Sequence, residues 1–191
     1  MEEIYREANI PQLEVIQQEL LACIKHDWRE KGMHAFEYEN EYILESCPTF
    51  AAWVLPRSKV GIYLMRFYVT TPFTDLKAHI DGNEPTYPFG LNIPVVGNEG
   101  TTMDWYETTT DNVKQITFKG YRPAWYPRKP NDLKMIASVE TTKPYFVKTD
   151  ILHGVHNQTD HLRLMFVTRW NHTQTENRNI EDSLHTEDLF V

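Results

Sequence analysis

At 191 residues, with 41% hydrophobic and 13% aromatic content and a formal net charge of -8, the chain has the size and composition of one ordered globular unit. That acidity disfavours a general nucleic-acid or anionic-membrane surface. No stretch approaches the ~20 apolar residues of a membrane span. The acidic start, Met1-Glu2-Glu3-Ile4-Tyr5-Arg6-Glu7, is neither a secretory signal nor an Arg-rich transit peptide, so a soluble cytoplasmic protein is expected. Cys23 and Cys47 lack CxxC spacing and read as buried or half-buried free thiols.

From Pro11 to Trp28, Leu13, Ile16, Leu20, Ile24 and Trp28 recur at three- and four-residue steps. With Asn9 as N-cap and Pro11 in the first turn, the spacing predicts an amphipathic helix. From Ala35 onward short runs rich in Tyr, Phe, Val, Ile and Thr are broken by Pro, Gly, Asn and Asp. These predict strands near 36–44, 60–70, 76–81, 89–96, 102–107, 112–118, 133–139, 145–148, 151–157 and 161–169, with a helical turn at 48–54. Many short strands after a helical start predict a mainly β, two-sheet jelly roll or barrel. The expected organisation is a single domain over 1–191: helical support at about 1–34, a β core at about 35–170 and a polar surface tail at 171–191.

The last two strands flank the turn tetrad Asn157-Gln158-Thr159-Asp160 and read as a hairpin. In the second of them Leu162, Leu164 and Phe166 point one way, and Arg163, Met165 and Val167 the other. A strand apolar on both sides needs an outer cover, and the N-terminal helix is expected to supply it.

His79-Ile80-Asp81 is the first chemical signal. Residues i and i+2 of a strand share a face, so a ring nitrogen and a carboxylate oxygen can converge on one ion. The short motif carries little weight alone, and Asp81-Gly82-Asn83 also reads as a plain turn. A later histidine, His153, followed ten residues on by Arg163, adds specificity. His156 forms a His-x-x-His pair with His153, but odd spacing on a strand turns the two rings to opposite faces, leaving His153 as the ligand. Two imidazoles and a carboxylate occupy one face of an octahedral ferrous ion and leave three positions open. Arg163 on the inward side of an apolar strand needs an anion, either a protein carboxylate or a bound one. A dicarboxylate cosubstrate would supply it through a bidentate pair.

With His79, Asp81, His153 and Arg163 in this order, residues 79–163 resemble the Fe(II)/2-oxoglutarate-dependent oxygenase superfamily. Leu91-Asn92-Ile93-Pro94-Val95 through Trp105-Tyr106-Glu107 resembles its compact phage- and bacterial-type members, and Val155 and Asn157 fit the usual surround of the distal histidine. The resemblance implies a double-stranded β-helix, a cupin-like jelly roll. It implies Fe(II) on His79, Asp81 and His153, 2-oxoglutarate held by Arg163, and O2 as a further cosubstrate. The implied reaction is hydroxylation of an unidentified substrate, a protein side chain or a small molecule, with succinate and carbon dioxide as coproducts.

Many members carry a serine two residues after the arginine, where this chain has Met165. Another hydroxyl or amide must complete that pocket, and Asn92 is the candidate. The segment 119–130 is basic and aromatic in an otherwise acidic protein. It is a candidate substrate lid through Arg122, Trp125 and Tyr126, although the same aromatics also suit a structural cap on the barrel mouth. Two other classes fit the same pattern: a non-catalytic jelly-roll binding module, and a cupin-like isomerase or hydrolase using zinc or manganese.

Overall fold

Runs of β-branched and aromatic residues form the strands, and the polar punctuation between them repeatedly sends the chain to the opposite sheet. The computed structural model describes residues 4–30, 32, 34–81, 89–109, 111–116, 124–170, 184–185 and 187–190. In chain order these contain β1 (Tyr5–Glu7), α1 (Leu13–Ala22), β2 (His34–Glu37), α2 (Asn40–Ser46), α3 (Pro48–Val54), β3 (Ile62–Thr70), β4 (Thr74–His79), β5 (Phe89–Val96) and β6 (Thr101–Tyr106). They continue with β7 (Val113–Ile116), β8 (Ala124–Pro127), β9 (Met135–Glu140), β10 (Tyr145–Lys148), β11 (His153–Asn157) and β12 (Arg163–Trp170).

A larger sheet has the order β1-β10-β5-β12-β3-β2, a smaller one β4-β11-β6-β9, and β7 and β8 form a separate ribbon. Consecutive strands β3 to β6, and again β10 to β12, alternate between the two sheets, the winding of a jelly roll. The sheets meet through contacts such as Tyr5 stacked on Trp105, with ring centroids 5.4 Å apart.

The strand β12 shows how one sequence serves two environments. All eight of its residues are buried. Leu164, Phe166 and Trp170 enter a large apolar core with Ile16, Leu20 and Phe50 from the helices. By strand alternation Arg163, Met165, Val167 and Arg169 face the other sheet. The helical cover is shared. Gln17 of α1 donates to the Pro94 carbonyl of β5 at 2.7 Å, while Phe50 of α3 meets Phe166 edge-on at 5.4 Å. The amphipathic helix thus lies on the expected sheet but one strand over, because a second helix begun by Pro48 covers β12.

Several expectations are corrected. The first helix is limited to Leu13–Ala22 by a left-handed Gln12 (φ 59°), and Asn9, instead of capping it, bonds the Asp188 carbonyl at 3.3 Å. The strand expected at 36–44 ends at Glu37, and Asn40–Ser46 is helical, with Ile43 its buried residue. The strands β11 and β12 do not form a hairpin: β11 pairs with β4 and β6, and β12 with β3 and β5. Their link is an inter-sheet corner clamped by Asn157, whose amide donates to the Thr71 and His161 carbonyls at 3.0 Å each. Residues 171–183 lie outside the described residues, but the terminal segment is not merely superficial. Leu184 and Leu189 are buried in the helix-side core, and short bridges join Ser58 to Leu184 and Ala8 to Phe190. Single apolar residues without periodicity make that anchor. Cys23 and Cys47 are buried free thiols. Among the described residues no helix is long and apolar enough to cross a membrane.

Candidate metal centre

His79 is the last residue of β4 and His153 the first of β11, and the antiparallel register sets them directly opposite one another. Their ring centroids are 4.7 Å apart. Asp81 follows one residue beyond a bridge in which the Ile80 amide donates to the Trp125 carbonyl at 2.8 Å and the Trp125 amide donates back at 3.4 Å. The Asp81 amide donates to the Thr149 carbonyl at 3.1 Å. Backbone bonds on either side therefore fix the short turn that aims the carboxylate inward.

Both imidazoles are oriented alike. Nδ1 of His79 lies 2.9 Å from the Lys77 carbonyl and Nδ1 of His153 lies 2.9 Å from the Ile151 carbonyl. A carbonyl only accepts, so Nδ1 carries the hydrogen in each ring and Nε2 is left for an ion. Oδ1 of Asp81 is 3.2 Å from Nε2 of His79 and 3.9 Å from Nε2 of His153. Adjacent ligands on an octahedral ion with bonds of ~2.1 Å stand about 3 Å apart, so the first pair is already at coordination spacing. His79, Asp81 and His153 form the one three-residue His/Cys/Asp/Glu grouping with metal-ligating geometry among the described residues.

The electrostatics suit a cation. Burial opposes charge on Asp81, but the His79 hydrogen bond and the His153, His79 and Arg169 charges outweigh it and hold the carboxyl well below its usual range. Burial, reinforced by the His79 charge, pushes His153 down to about 4, so this ring is neutral and ready to ligate. For His79 burial acts downward, but the hydrogen bond and charge of Asp81 prevail and raise it. The Arg169 guanidinium offsets part of the carboxylate's charge at Oδ2, while Oδ1 faces two Nε2 atoms, a setting that suits a further cation, proton or metal.

By strand alternation Arg163 shares the interior face of β12 with Arg169, whose guanidinium reaches Asp81. Arg163 is 3% exposed, its Nε has no hydrogen-bond partner among the described residues, and its Nη1 donates to Thr70 Oγ1 at 3.4 Å. No protein carboxylate pairs with it among the described residues. Burial alone pulls its pKa down to about 10.

Asn92 is interior but meets a different arginine: its Oδ1 accepts from Arg169 Nη1 at 3.5 Å, beside Met103. Arg169 was not singled out from sequence. Its Nη2 reaches Oδ2 of Asp81 at 3.3 Å. The available signal was its parity with Arg163 on one strand. Thr70, cross-strand partner of Arg163, also went unnoticed, because register is not written in local sequence. Trp125 and Tyr126 fall on β8 rather than in a loop, and the Tyr126 ring stacks near His79 at 6.2 Å. Arg122 lies outside the described residues. His156 is turned away from His153, as strand parity requires, and sits between Asp75 (2.9 Å) and Asp104 (3.3 Å) on the outer side of the smaller sheet.

No protein-family model matches the sequence. No curated protein matches it either. Solved structures do match in shape. The epimerase SnoN in complex with Fe3+, alpha ketoglutarate and nogalamycin RO aligns with a TM-score of 0.56 at 12% identity over 93% of this chain and 83% of its own. The non-haem alpha ketoglutarate dependent carbocyclase SnoK from nogalamycin biosynthesis gives 0.54 at 13% identity, over 93% and 83%. The non-haem monooxygenase ThoJ gives 0.54 at 12% identity, over 86% and 72%. At such identities the likeness is one of fold, the jelly roll of 2-oxoglutarate-dependent oxygenases, and this chain carries a His-Asp-His triad within it.

Proposed function

We propose that this protein is an Fe(II)- and 2-oxoglutarate-dependent oxygenase that hydroxylates an as yet unidentified substrate. The observation that carries the reading is Arg163: a buried guanidinium with no carboxylate partner among the described residues, on the same β12 face as Arg169, which reaches Asp81 of a two-histidine, one-carboxylate triad. A metal site alone would suit a zinc or manganese cupin, but such a site has no use for a desolvated cation. A dicarboxylate satisfies both ends.

His79, Asp81 and His153 would hold the iron, whose chemistry when bound is the activation of O2 at the expense of 2-oxoglutarate, yielding succinate and carbon dioxide. The protein's own part is positional. The Lys77 and Ile151 carbonyls fix the two rings, and backbone pairing at Ile80 fixes the carboxylate. Arg163 would bind the distal carboxylate of 2-oxoglutarate, with Thr70 supplying the hydroxyl that Met165 does not. The β7–β8 ribbon, paired to Ile80 through Trp125 and stacked near His79 through Tyr126, would line the substrate side. The fold shared with SnoN, SnoK and ThoJ supports the reading.

Anaerobic addition of Fe(II) and then 2-oxoglutarate should give a visible charge-transfer absorption, absent in His79→Ala and weakened in Arg163→Ala. Absence of that band in the native chain, or a band unaffected by His79→Ala, rejects the proposal. Labelled O2 then tests hydroxylation: the oxygen should appear in the organic product, and turnover without incorporation would mark another outcome of the same chemistry. Trp125→Ala should raise the Michaelis constant for the organic substrate more than that for 2-oxoglutarate. Equal effects would make the ribbon structural.

A further inference from the structure

The interior face of β12 bears a second buried arginine, and its surroundings are built for it. Arg169 is 7% exposed. Its guanidinium lies over Gly90 of the neighbouring β5, where a Cβ would collide with Nη1 and Cζ and stand 2.7 Å from Cδ. Glycine inside a strand often marks the close approach of another group, and here that group is the arginine itself. From this notch Nη1 bonds Asn92 Oδ1 at 3.5 Å and the Thr168 carbonyl at 3.2 Å, while Nη2 crosses to the other sheet and takes Oδ2 of Asp81 at 3.3 Å.

The two oxygens of Asp81 are thereby separated. Oδ1 faces both Nε2 atoms, and Oδ2 is held by the guanidinium. We infer that Arg169 is a positioning residue that keeps Asp81 a one-oxygen ligand, and that Gly90 provides the space in which it does so. The inference rests on the proposed metal site. A carboxylate can grip an ion through one oxygen or both. With one, an octahedral ion on this triad keeps three open positions, enough for a chelating 2-oxo acid and a third ligand. With both, it keeps two, and the chelator competes with whatever must bind next. A charge-assisted bond to Oδ2 withholds that oxygen.

Manganese(II) is a suitable probe, since the number of water molecules bound to it can be read from water-proton relaxation without turnover. The native chain should show about three bound waters, and Arg169→Gln about two, with 2-oxoglutarate binding to the manganese form weakened about tenfold or more. Gly90→Ala, which retains the charge but displaces the guanidinium, should also drop to about two and serves if Arg169→Gln does not fold, circular dichroism being the check. About three waters in the folded variants, or loss of manganese binding in them, overturns the inference. Manganese binding by the native chain that is indifferent to His79→Ala instead overturns the metal site beneath it. The two failures are therefore distinguishable.

Discussion

The two faces of the larger sheet differ more than their shared strands suggest. Toward the helices, Leu164, Phe166 and Trp170 join a continuous apolar core with Ile16, Leu20, Phe50 and Phe67. Toward the smaller sheet the same strand offers Arg163 and Arg169, and the apolar cluster between the sheets is small, with Met103, Trp105, Val147 and Val155 as its buried members. Along β12 burial is as complete on one face as on the other, but the chemistry buried differs. The inner face holds desolvated charge that costs free energy unless something binds there. Stability resides on the helix side, and it permits a polar interior.

That division can be broken by experiment. The largest effect expected is from Phe166→Ala, which should lower stability by about 3–5 kcal/mol in denaturant titration while leaving manganese affinity nearly unchanged. A parallel collapse of metal binding would show that the two faces are not separable. Next is Arg163→Met, which replaces a buried cation that has no carboxylate partner among the described residues by an apolar side chain of similar length. It should stabilise the metal-free protein by about 1–4 kcal/mol and abolish tight 2-oxoglutarate binding. A loss of stability would mean that Arg163 is satisfied within the protein. The smallest effect is expected from His156→Gln, on the outer face of β11. It should cost about 1 kcal/mol through its bonds to Asp75 and Asp104 and leave metal affinity unchanged, whereas weakened metal binding would couple the outer face to the centre.

How much of this was legible in the sequence depended on whether the determining interaction was local. Residues 62–70, 89–96 and 101–106 announce themselves as strands by a composition dominated by apolar, aromatic and β-branched residues. The triad was readable because ligand chemistry restricts residue types and strand parity excludes His156. By contrast β1 is three residues, Tyr5, Arg6 and Glu7, with no pattern of its own, and it is a strand because β10 offers an edge. The segment 157–162 has turn chemistry, but turn chemistry does not say whether the flanking strands pair with each other or part to different sheets. Arg169 carries no local signal of its role, and only the third dimension sets it beside Asp81 and gives Gly90 its reason. Gly90 within the apolar run Phe89–Val96 was the available clue.

The register that sets His79 opposite His153 also has a kinetic consequence. Strand β4 meets β11, and β3 meets β12, across about half of the chain's length. Loop closure must precede reward in such a topology, so folding is expected on the slow side of the millisecond-to-second range. The metal ligands come within reach of one another only when the roll closes. An ion that binds only the closed roll adds its binding free energy to the native state and not to the barrier leading there. Its effect would fall on the rate of unfolding: a filled centre would act as a latch on a finished structure, not as a template for making it.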